Sequence, residues 1–81
     1  MAQIDINNLQ KVSKERNTIH DQVYATYTVF DSNGEKFFQI DTYGKARRMN
    51  PEKISQSLQI NGESALQLVN LLIKEFDFKL R

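Results

Sequence analysis

The stretch SALQLVNLLIKEFD, residues 64–77, is too apolar for a helix with a single neighbour. Ala65, Leu66, Leu68, Val69, Leu71, Leu72, Ile73 and Phe76 recur at helical spacing. At ~100° per residue they spread over an arc of roughly 220°. A helix resting on one sheet needs a stripe only a little over ~100° wide. Gln67, Asn70, Lys74 and Asp77 occupy the narrow polar strip that is left. Such a helix needs a second cover, and a second copy of the chain is the most economical one. Leu68, Leu71 and Leu72 are the expected dimer-interface residues, with Leu66, Val69, Ile73 and Phe76 nearer the sheet.

Length sharpens that expectation. A chain of 81 residues has room for one domain, and one this small buries only a little over ~60% of its unfolded surface. It is marginal alone and gains from association. There is no cysteine, so neither a disulfide nor a thiolate zinc site can staple it. No apolar run approaches the ~20 residues of a membrane span, and the first residues lack a signal-peptide pattern. The expectation is a soluble, cytoplasmic protein. Eleven Lys and Arg against ten Asp and Glu leave a net charge of +1, which by itself attracts no strongly charged partner.

The strands lie upstream of the helix. Residues 23–30, VYATYTVF, are β-branched and aromatic, which favours a strand. Asn33-Gly34 follows, the strongest short-range hairpin signal. Residues 36–43, KFFQIDTY, make the antiparallel return. Residues 53–60, KISQSLQI, alternate apolar and polar as a half-buried strand does. Asn61 can cap the helix, and Glu63 suits the positive end of its dipole. Residues 1–22 read as an N-terminal arm that holds either an extra strand or a short helix over 7–14. Residues 23–81 form the ββ-β-α domain. The expected fold is α+β: a small, curved antiparallel sheet of three to four strands, backed by one C-terminal helix.

Alternation sorts the strand residues into two faces. One collects Ala25, Tyr27, Val29, Phe38, Ile40, Thr42, Ile54, Leu58 and Ile60, apolar enough to receive the helix. The other collects Tyr24, Thr26, Thr28, Phe30, Phe37, Gln39, Asp41, Tyr43, Ser55, Ser57 and Gln59. Outward aromatic and β-branched residues also stabilise a sheet with no ligand at all, through cross-strand pairs. Against that stands a basic segment, GKARRMNPEK, residues 44–53, where Lys45, Arg47, Arg48 and Lys53 face only Glu52. Its Gly, Asn and Pro make it a loop. A basic loop can be merely solvated; beside aromatic rings it suits a nucleic-acid backbone. Single strands bind where rings stack on unpaired bases and nearby cations track the phosphates. The expected contacts are Tyr24, Phe30, Phe37, Gln39 and Tyr43 on the sheet, with Lys36, Lys45, Arg47, Arg48 and Lys53 at its rim.

The order of elements resembles a family. FFQIDTYG at 37–44, NPEKISQSLQIN at 50–61 and the ESALQLVNLLIKEF helix at 63–76 look like the single-stranded-DNA-binding domain of the transcriptional coactivator positive cofactor four and its small bacterial and phage relatives. The resemblance covers residues 23–77 and is one of element types. It implies a curved four-stranded sheet backed by one helix, homodimers packed through their helices, and single-strand binding with little sequence preference and no catalysis. Asp41 stands where the family tends to have Arg, Gly44 where Trp is frequent, and Gln56 to Ile60 lack its lysine.

Other classes fare worse. His20 is the only histidine, with no cysteine beside it, so neither a metal nor a cofactor is expected. Glu35 and Asp41 lie on one hairpin strand with no third partner, and no ordered nucleophile and base set stands out, so no enzyme is expected. The expected function is a non-catalytic homodimer that binds single-stranded DNA, or RNA, in transcription, replication or recombination. The alternative is a small homodimeric protein-interaction module whose aromatic face receives another polypeptide.

Overall fold

The computed structural model describes residues 1–44 and 53–79. The fold is α+β. A short β1, Ala2–Gln3, and a single 3-10 turn, Ile6–Asn8, lead into residues 9–24, which form no regular element. Then come β2, Ala25–Ser32, β3, Glu35–Tyr43, β4, Ile54–Asn61, and α1, Gly62–Phe76. The sheet order is β1-β4-β3-β2. β2, β3 and β4 pair antiparallel, while β1 adds to β4 in parallel, so the sheet is mixed and its fourth strand comes from the N-terminal arm.

Local chemistry accounts for the joints. Ser32 pairs with Glu35 across the two-residue turn, where Asn33 and Gly34 have φ of 54° and 78°. Both central residues of the type I′ turn need positive φ, which Asn tolerates and Gly adopts freely. At the other joint Asn61 ends β4 and caps α1 at once. Its side-chain oxygen accepts from Ser64 N–H at 2.9 Å, while its amide donates to Glu35 Oε2 at 2.9 Å. The helix closes on Asp77 in the left-handed region, φ 57°, and the N–H groups of Asp77 and Phe78 both return to Ile73 C=O.

The register holds one irregularity, between Thr42 and Tyr43. Thr42 pairs with Gln56 and Tyr43 with Ile54, so Ser55 is the additional residue of a bulge. Ile54 thus lies beside Tyr43, out of step with Leu58 and Ile60, with which simple alternation grouped it.

The first turns of α1 sit on the apolar face, where Ala65 shares a groove with Val29, Phe38 and Ile60. Ser64 is buried, its hydroxyl donating to Ile4 C=O at 3.4 Å. Further along, Leu71 and Glu75 meet Leu9 and Lys11 of the N-terminal segment, with Lys11 Nζ 3.3 Å from Glu75 Oε1. The helix therefore leans toward the chain's N-terminal residues. Leu68 and Ile73 are half-buried, and Leu71 and Leu72 remain exposed. Leu66 at 63% and Phe76 at 65% are the barest of the large apolar side chains on α1, although the sequence pattern turns both toward the sheet. Among the described residues Tyr43 is the one buried large hydrophobic side chain.

Candidate nucleic-acid interface

The sheet face away from α1 carries side chains in a definite order along β3: Phe37, Gln39, Asp41, Tyr43. Each meets a neighbour from β2 or β4, because paired residues share a face. Phe37 stacks on Phe30, with centroids 5.5 Å apart and planes 22° from parallel. At the far end Tyr43 meets Tyr24, centroids 5.3 Å apart and tilted by 44°. Two ring pairs thus bracket a polar centre.

That centre is a hydrogen-bonded chain. Gln59 donates to the Gln39 side-chain oxygen at 2.7 Å, and Gln39 donates onward to Asp41 Oδ1 at 2.9 Å. Ser57 gives its hydroxyl to the same carboxylate oxygen. Asp41 is 7% exposed, which those donors make tolerable, since a buried carboxylate needs hydrogen bonds to replace water. The N-terminal residues border this region: Met1, Ala2 and Gln3 line one groove with Gln39, Ser57 and Gln59.

The expected contact residues do not all come together here. Tyr24 and Phe30 are exposed, and Phe37 and Gln39 half-buried, so these four present surface on the face. Tyr43 is on the same face but only 7% exposed, sharing a hydrogen bond at 3.1 Å with the Thr26 hydroxyl. Its ring supports the Tyr24 ring instead of offering a bare surface. Lys36 is on the other face: it pairs with Asp31 in register and lines the groove of Val29, Phe38 and Ala65. Lys53 is exposed just before β4. Lys45, Arg47 and Arg48 lie outside the described residues. Among the described strand residues, the polar face carries two charged groups, Glu35 and Asp41, both acidic.

The sequence alone does not reveal the Gln59–Gln39–Asp41–Ser57 chain. The signal was present in the alternation of polar residues on adjacent strands, but only the register tells which of them meet. No three His, Cys, Asp or Glu side chains among the described residues come together as a metal-binding group. No helix among them is long and apolar enough to cross a membrane. Comparison with known proteins finds no family model, curated protein or solved structure that matches this chain.

Proposed function

We propose that the protein is a cytoplasmic, non-catalytic homodimer that holds single-stranded nucleic acid against its polar sheet face. The observation that carries the reading is the aromatic–polar–aromatic order of that face, clear of the helix. Tyr24 at one end and Phe30 with Phe37 at the other offer ring surface to unpaired bases. The amides of Gln39 and Gln59 lie between them with donors and acceptors for base edges. Each stacked base contributes about 1–3 kcal/mol irrespective of sequence, so little base preference is expected. Cations must come from Lys45, Arg47, Arg48 and Lys53, since Lys36 is turned away.

The dimer reading rests on uncovered surface. Tyr27 and Val29 of the sheet and Leu66, Val69 and Phe76 of α1 are all exposed. Obligate dimers bury about 2,000–5,000 Å² in total, mostly apolar.

Fluorescence anisotropy with a labelled single-stranded oligonucleotide of about 20 nucleotides tests the function, since single-strand sites span about 4–16 nucleotides. Saturable binding that weakens with salt and exceeds duplex binding is the expected result. The presence of acidic Asp41 and Glu35 on the face, with no basic residue among its described strand positions, favours the second reading, a module that receives another polypeptide. Absence of binding to both DNA and RNA at low salt would select it.

A further inference from the structure

Among the described residues the outer edge of β2 is open. In the order β1-β4-β3-β2 this strand pairs, among the described strands, with β3 alone. Tyr43 N–H donates to Tyr24 C=O at 3.0 Å, and hydrogen-bonded pairs alternate along an antiparallel ladder. The even-numbered residues of β2 therefore bond to β3, and the N–H and C=O groups of Ala25, Tyr27, Val29 and Asp31 point outward. Sheet edges are ordinarily blunted by Pro, Lys, a bulge or extreme shortness. β1, the opposite edge, has only two residues. β2 has eight, with no Pro and no Lys, and the bulge belongs to the β3–β4 ladder.

We propose that this edge pairs antiparallel with β2 of a second copy, about a two-fold axis at Thr28. A two-fold contact must be self-complementary, and this strand is so in three respects. The axis sets Tyr27 opposite Val29 and Ala25 opposite Asp31, joining residues whose backbone groups all point outward. It also opposes Thr26 with Phe30 and Thr28 with Thr28, so the side-chain pairs are the aromatic–β-branched and Thr–Thr kinds that sheets favour. Asp31, the only charged residue of β2, faces Ala25, and the two copies of Asp31 stand about 20 Å apart, some two Debye lengths. The same register keeps both polar faces on one side, so the aromatic-lined surface runs on from one copy into the next. This contact uses the backbone edge of β2 and does not depend on the nucleic-acid reading.

The chain has no cysteine, so Thr28→Cys introduces a single thiol. On the axis its Cα lies about 4.5 Å from its mate, within disulfide reach. Ser32→Cys would lie about 27 Å from its own mate. Under mild oxidation at micromolar protein, Thr28→Cys is expected to cross-link about tenfold faster than Ser32→Cys. Adding Val29→Pro, which removes an outward N–H but no bond to β3, should abolish that advantage while the circular dichroism stays unchanged. If Val29→Pro disturbs the fold, Ala25→Pro takes its place, removing a different outward N–H and again no bond to β3. Equal cross-linking of the two cysteine variants overturns the proposal, as does an advantage that survives the edge substitution in a folded protein.

Discussion

Ser57 donates its hydroxyl to the Asp41 carboxylate across the β3–β4 ladder, Oγ to Oδ1 2.5 Å. Gln39 donates to the same oxygen, so the carboxylate is the acceptor at the centre of the polar face. Asp41→Asn preserves an acceptor oxygen for both donors and removes the negative charge. Folding should be little changed, while affinity for a single strand should rise by about threefold, as expected for one charge some 8 Å from a phosphate near a wet surface. Asp41→Leu should instead cost about 1–3 kcal/mol of stability, because the Gln39 and Ser57 donors lose their partner. Anisotropy and urea unfolding measure the two effects separately. Unchanged affinity in Asp41→Asn would detach this face from nucleic acid.

Tyr24 and Tyr43 should separate binding from folding. Tyr24→Ala removes an exposed ring and should weaken binding by about 1–3 kcal/mol at every salt concentration, with little change of salt slope. Tyr43→Ala empties the most buried aromatic site and should destabilise the fold by about 3 kcal/mol or more. Thermal unfolding beside anisotropy distinguishes them. Equal stability losses in the two variants would contradict the difference in their burial.

Arg47→Ala with Arg48→Ala should leave stability within about 0.5 kcal/mol of wild type if both side chains serve binding alone. If each guanidinium neutralises one phosphate, the slope of log K against log salt should flatten by about 0.7 per residue. Identical slopes in the double variant would mean that the segment is solvated and nothing more.

Association through α1 predicts a large effect from a single charge. Val69→Glu or Leu66→Glu introduces a carboxylate at a site that is exposed in one chain. In a monomer such a change costs under about 0.5 kcal/mol. At the centre of an apolar contact it should cost 2 kcal/mol or more, about a thirtyfold rise in the dimer dissociation constant. Sedimentation across a concentration series reads this directly, and a wild type that stays monomeric at micromolar concentration would rule out the contact.

Asn61→Ala removes the cap on Ser64 N–H together with the contact to Glu35, and should cost about 1 kcal/mol. Asn61→Ser restores the cap alone and should recover most of that loss. Equal instability of the two variants would shift the weight from the cap to the strand-side contact with Glu35.

What the sequence by itself determined is local. The Asn33-Gly34 turn, the three long strands, the Asn61 cap and the extent of the helix follow from turn chemistry, alternation and capping, all of which act over a few residues. The opposed characters of the two sheet faces were equally legible, because the period of a strand is two. Tertiary structure decided the rest. The bulge at Ser55 moved Ile54 next to Tyr43, a shift that depends on how two distant strands register. Burial of Tyr43 and Asp41 depends on neighbours 16 or more residues away, among them Thr26 and Ser57. The lean of α1 toward Ile4, Leu9 and Lys11 left Leu66 and Phe76 bare where periodicity alone turned them inward. A helix's periodicity states how wide its apolar face is, but the direction from which that face is covered is set by contacts remote in sequence.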